Sequence, residues 1–80
     1  MLTLEQFKLL PNVEKGTIIF NDAEFVAERR EGVLTILLYQ LYSFYVEVYY
    51  QQDLNEIQKL RSFSNIELLE PYLEQVKIPF

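Results

Sequence analysis

From Val33 to Tyr50 the chain carries its most apolar run, long enough to be weighed as a membrane span. Gln40, Ser43 and Glu47 interrupt it, and its β-branched and aromatic residues alternate with a period of two. That alternation points to paired strands rather than one helix. Any fold open to this chain must bury those strands, and 80 residues supply little else to bury them with.

Turn chemistry sets the pairing. Glu31-Gly32 reads as a two-residue connection between strands Glu24–Arg30 and Val33–Leu41. Arg30 then pairs with Val33, Ala27 with Ile36 and Phe25 with Leu38. One face holds Phe25, Ala27, Leu34, Ile36 and Leu38; the other holds Val26, Glu28, Arg30, Val33, Thr35 and Leu37. A three-residue loop at Leu41-Tyr42-Ser43 continues the apolar face by pairing Leu38 with Val46, Ile36 with Val48 and Leu34 with Tyr50. It sets Tyr39 by Tyr45, Leu37 by Glu47 and Thr35 by Tyr49 on the outer face. After a turn at 51–55, Glu56–Phe63 reads as a further strand. Its threefold spacing of Ile57, Leu60 and Phe63 calls for a bulge near Gln58-Lys59, with a short helix as the competing reading.

The ends read as helical. Thr3 and Gln6 form a capping box with Leu2 packing on Phe7, and Pro11 stops that helix. Asn12 can cap a second segment, Val13–Asn21, which local propensity reads as a strand. Helical spacing puts Val13, Thr17 and Phe20 on one face of a helix that Gly16 weakens by ~1 kcal/mol. Near the C-terminus Ser64 and Glu67 make another capping box, and Ile66, Leu69, Leu73 and Val76 recur at helical spacing. A turn followed by a helix with Pro71 at its first position reconciles that pattern with the proline. The chain therefore reads as one α+β domain over residues 1–80. It has an N-terminal helix or helices, an antiparallel β-meander of three to four strands and a C-terminal helix, with the helices covering the Leu34/Ile36/Leu38/Val46/Val48 face.

The strings Phe44-Tyr45-Val46-Glu47-Val48-Tyr49-Tyr50 and Leu69-Glu70-Pro71-Tyr72-Leu73 resemble a group of short, uncharacterised bacterial proteins, often from Bacteroidetes, that carry "F-Y-V-E-V-Y-Y" and "L-E-P-Y-L". The likeness spans about Phe20 to Val76, with Ala23 to Arg29 as its upstream part. It implies no activity. It does imply a helix before the first strand, although Gly16 and the Ile18-Ile19 pair depart from that.

Composition narrows the chemistry. With no cysteine and no histidine there is no disulfide, thiolate site or cysteine nucleophile, and the commonest general base is missing. Two glycines cannot build a phosphate-cradling loop. A net charge of −5, with Arg29 and Arg30 set between Glu28 and Glu31, disfavours nucleic acid. Glu67, Glu70 and Glu74 fall at helical spacing but read as a solvated face rather than a cation site. No cofactor and no metal are expected. Met1–Leu10 lacks a signal-peptide pattern, so a cytoplasmic protein with no membrane partner is expected.

Two features remain. Glu47 lies mid-strand among tyrosines, either as a general acid or ligand-orienting carboxylate, or as a surface acid paired across the ladder with Lys59 or Arg61. Tyr39, Tyr45 and Tyr49 fall with it on the expected outer face, where Arg30 is the base that could meet Glu47 of a partner copy. Small chains without disulfide or metal often take support from a partner. The expectation is thus a non-enzymatic protein-interaction module with a protein partner, self or heterologous, most simply a homodimer through Tyr39, Tyr45, Glu47, Tyr49 and Arg30. Its rivals are a small-ligand binding domain using Tyr45, Glu47 and Tyr49, and a carboxylate-only hydrolase.

Overall fold

A computed structural model describes residues 1–75 of the chain. Two helices, α1 (Leu4–Lys8) and α2 (Asn12–Asp22), precede strands β1 (Glu24–Glu31), β2 (Leu34–Leu41), β3 (Phe44–Gln51) and β4 (Glu56–Phe63), and a 3-10 helix follows at Ile66–Tyr72. The strands form one antiparallel meander in the order β1-β2-β3-β4. The expected α+β architecture holds. Val76, the last residue of the expected C-terminal periodicity, lies outside the described residues.

Local chemistry explains the helix ends. Thr3 accepts from the Gln6 amide and Gln6 reaches back to the Thr3 amide, satisfying two donors that the short α1 would otherwise leave bare. Pro11, rather than Asn12, stands at the cap of α2 and makes no side-chain cap bond there. Region 13–21 is helical. Its Val13/Thr17/Phe20 stripe points to solvent, while Ile18 and Ile19 on the far side pack inward.

The β1–β2 turn is Gly32-Val33, with Gly32 at φ 61°, a conformation that suits glycine. Arg30 lies opposite Thr35 and Ala27 opposite Leu38, two places from the expected register. A two-residue displacement leaves each side chain on its expected face. Phe25 and Val26 are the exceptions: the pairing skips Val26, which packs on the Ala27 side, and this bulge sets Phe25 opposite Tyr39, against which its ring packs edge-on.

The second hairpin corrects the expectation more deeply. Its turn is Tyr42-Ser43, two residues rather than three, so Leu38 faces Glu47, Leu37 faces Val48 and Ile36 faces Tyr49. The expected Leu38–Val46, Ile36–Val48 and Leu34–Tyr50 pairs do not form, and all of β3 is turned over. Tyr42 adopts φ 56°, unusual for a side chain of its size. Its hydroxyl donates to the Asp22 carboxylate at the end of α2, and its ring meets Phe44 edge-on, which holds the turn in place. In β4 the expected bulge appears: Lys59 pairs with Tyr49 and Ile57 with Tyr50, leaving Gln58 as the extra residue and Ile57 and Leu60 on one face.

Both faces of the sheet are covered. On one, α1 and α2 pack over Leu41, Phe44, Val46 and Val48 through Phe7 and Ile19. On the other, the 3-10 helix lays Leu69 and Tyr72 over Ala27, Leu38 and Phe63. Asn65, not Ser64, caps that helix, accepting from the Glu67 amide at 2.9 Å. The helix runs through Pro71 instead of starting there. Proline lacks the N–H and disfavours an α-helical interior, and the segment around Pro71 is wound as a 3-10 helix. Beyond it the Gln75 side-chain amide completes the free edge of β1, accepting from the Glu28 amide at 3.2 Å and donating to its carbonyl at 2.5 Å. Among the described residues no helix is long and apolar enough to cross a membrane.

Candidate functional site

Two places gather side chains in ways that chemistry could use. The first is a polar nest under the 3-10 helix. Glu47, in the middle of β3, is only 2% exposed. Tyr72 donates to its Oε2 at 2.5 Å, Tyr49 donates to Oε1 at 3.3 Å, and Arg29 Nη2 approaches Oε2 at 3.4 Å. Arg61, directly across the ladder on β4, brings Nη1 to 3.7 Å from Oε1. Arg29 reaches over β2 from the sheet edge. It donates through Nε to the Tyr72 hydroxyl at 3.2 Å, ties Nη1 to Glu31 at 2.7 Å and holds its guanidinium carbon 5.6 Å from the Tyr72 ring centre. The small side chain of Ala27 leaves room for that ring to settle on the sheet.

The nest is closed. Among the described residues no buried side-chain polar atom lacks a hydrogen-bond partner. Burial penalises the charged Arg29 guanidinium, but its bonds to Glu31 and Tyr72 and the charge of Glu47 outweigh this and raise its pKa. Burial, and then donation to Glu47, push the Tyr72 hydroxyl well above its ordinary value of 10, with Arg29 pulling the other way. A tyrosine that keeps its proton longer when folded makes the native state bind more protons above that ordinary value, so stability falls as pH rises through it. The denaturation free energy of the wild type should therefore decline more steeply above about pH 10 than that of Tyr72→Phe, by at most about 1.4 kcal/mol per pH unit. Parallel pH curves for the two proteins would show that this hydroxyl titrates alike folded and unfolded.

The expected interaction surface is not assembled as such. Glu47 lies under the 3-10 helix, Tyr49 is buried on the same side of the sheet, Tyr45 stacks on Phe63, and Tyr39 is on the opposite face beside Phe25. Arg30 lies exposed on that opposite face too, and Arg29 is the base that meets Glu47. The expectation that Tyr45, Glu47 and Tyr49 face away from every helix is overturned by the two-residue β2–β3 turn. The cross-strand pairing of Glu47 with Arg61 is present, whereas Lys59 instead places its ammonium 4.4 Å from the Tyr49 ring centre. Glu67 and Glu70 line the mouth of the groove above Glu47 and Arg61. Among the described residues no three acidic side chains converge where a metal ion could be held.

The second place is an apolar groove of about 610 Å³ between α2 and the sheet. Leu37, Tyr39, Val48, Tyr50 and Leu60 form its floor; Gly16, Ile19 and Ala23 form its helix wall. Along its rim Phe20 is 89% exposed, Val13 82% and Ile57 61%. Sequence reasoning noted the Val13/Thr17/Phe20 stripe and the cost of Gly16 without assigning either a role. An apolar helical stripe reads the same whether it meets the core or something outside the chain. No family model matches the chain, no curated protein matches it, and no solved structure matches it.

Proposed function

We propose that this chain is a non-enzymatic protein-interaction module, in the cytoplasmic setting its sequence leads us to expect, and that its contact surface is the groove beside α2. The observation that carries this reading is the exposed rim of Phe20, Val13 and Ile57 around an apolar floor. Contiguous apolar surface with aromatic anchors is what protein interfaces bury at their centres. A protein surface would cover Phe20 and Val13 together with the groove floor. Apart from Asn12, Gln58, Lys59 and the tyrosines Tyr39 and Tyr50, the lining is apolar, which suits a hydrophobic contact better than a polar substrate. The polar nest has the opposite character, since its groups satisfy one another and a ligand there would have to displace Tyr72.

A contact surface should be dispensable for folding. Phe20→Ala should change the unfolding free energy of the dilute protein by no more than about 0.5 kcal/mol. Ile19→Ala, one residue earlier but in the core, should cost about 2–4 kcal/mol. An environment-sensitive apolar dye should bind the wild type and bind Phe20→Ala less. Equal destabilisation by the two substitutions would make Phe20 part of the fold and remove the proposed surface.

A further inference from the structure

Resting on that groove as the contact surface, we infer that α2 is its movable wall, latched to the sheet by the hydrogen bond between Asp22 and Tyr42. Release of the latch undocks the helix and exposes Ile18 and Ile19 beside the groove. The helix is lightly held to begin with. Of its eleven residues Ile19 alone is buried, Lys15 and Ile18 are half-buried, and the others are exposed. It is also a weak helix by itself. Pro11 gives its N-terminus no side-chain cap, and Gly16 lies in its interior. Asp22 adds a negative charge at its C-terminal end, where the helix dipole disfavours one. A helix of this length does not persist in water without packing, so its docking and its winding are lost together.

The other half of the latch is strained. Tyr42 holds the first central position of the two-residue β2–β3 turn at φ 56°, where a positive φ ordinarily selects glycine. Such a residue stays there only when its surroundings over-determine it. Its hydroxyl donates to Asp22 and its ring packs edge-on against Phe44. One hydrogen bond thus joins two local misfits: an acid at the wrong end of a helix, and a bulky side chain in a left-handed turn. Local rules are broken most often at functional sites. Asp22 is exposed and Tyr42 half-buried, so water can take over both groups when the bond opens, and no buried polar group is stranded. The backbone on either side of the helix, at Pro11 and Ala23, is already extended and can turn without unwinding a neighbour. The strand ladder and the Glu47 nest include no residue of α2, so both survive the opening. The latch therefore sets how much apolar surface this side of the sheet presents.

Native-state hydrogen exchange tests the latch on the intact chain. The Lys15 amide donates to the Pro11 carbonyl at 3.0 Å and the Ala23 amide to that of Ile19 at 3.1 Å, one reporter at each end of α2. In the wild type both should exchange through one shared opening, with protection at least about tenfold below that of the Tyr39 amide in the β2–β3 ladder. Tyr42→Phe deletes only the hydroxyl and should lower the protection of both reporters together, at least about fivefold. In an Asp22→Ala background the same substitution should change it less than about twofold, since the bond is already gone. Lys15 and Ala23 amides as protected as that of Tyr39 would mean that α2 opens only with the whole domain, which overturns the inference. Reporters that ignore Tyr42→Phe, or that respond to it equally without Asp22, overturn it by removing the latch. The dye measurement on Phe20→Ala decides the contact reading separately. Its failure beside the expected exchange leaves a latched helix next to a groove that is no contact surface; the reverse leaves a contact groove with a fixed wall.

Discussion

Glu47→Ala should lower the unfolding free energy by about 3–5 kcal/mol. The carboxylate is the common partner of Arg29, Arg61, Tyr49 and Tyr72, so its removal leaves a guanidinium and a buried hydroxyl without the acceptor that justified burying them. The lower end of the range applies, because Arg61 is nearly half exposed and can turn to water while Arg29 keeps Glu31. Glu47→Gln preserves the volume and the acceptor for Tyr72 but not the charge, and should lose about 1–3 kcal/mol. A domain of this size has a total of roughly 4–12 kcal/mol. The alanine variant should then melt at least about 12 °C lower, at roughly 4–8 °C per kcal/mol. Urea denaturation at unchanged slope measures the loss. Wild-type midpoints for both variants would mean that the nest behaves as a solvated surface pair despite its burial.

That residue also shows where the sequence is legible and where it is not. Glu47 stands out as a carboxylate among tyrosines, and its cross-strand base Arg61 follows once β4 is placed with its bulge. Which side of the sheet it faces does not follow. In a one-layer sheet the solvent side of each strand is polar, and a one-residue slip betrays itself by mixing the faces. Here both sides are covered, so β3 carries Phe44, Val46 and Val48 on one side and Tyr45 and Tyr49 on the other, and neither reads as wet. The turn that decides the matter holds Tyr42 in a left-handed conformation through contacts with Asp22 and Phe44, which no turn preference records. By contrast the Thr3–Gln6 box, the Pro11 break and the Gln58 bulge follow from local chemistry alone.

The two sides of the sheet thus divide their tasks. The 3-10 side is closed by a charged nest whose polar atoms are satisfied internally, which fits a structural clasp. The α2 side keeps an open apolar groove. The short helices touch that face at one end, over Leu41 and Phe44, and leave the end near Tyr50 and Ile57 open. Small domains often complete their cores with a partner, and the proposed contact surface lies at this open end.

Tyr72→Ala should be the more damaging of two substitutions at the clasp. The ring is fully buried against Ala27, Leu38 and Phe63, and truncating such an aromatic costs about 3–5 kcal/mol. The hydroxyl adds its own share, since Glu47 loses its shortest donor and Arg29 loses the acceptor for Nε. Tyr72→Phe isolates that share and should cost about 1.5–3 kcal/mol. Hydrogen exchange reads the consequence at a distance. The Glu28 amide is held by the side chain of Gln75, three residues beyond Tyr72, so releasing the 3-10 helix should expose it. In Tyr72→Ala its protection should collapse while amides at the β2–β3 ladder, such as that of Tyr39, retain protection limited by global unfolding. In Tyr72→Phe the ring still anchors the segment and Glu28 should stay protected. If Glu28 keeps its protection in the alanine variant, the 3-10 helix is held by something other than Tyr72, and the clasp is misassigned.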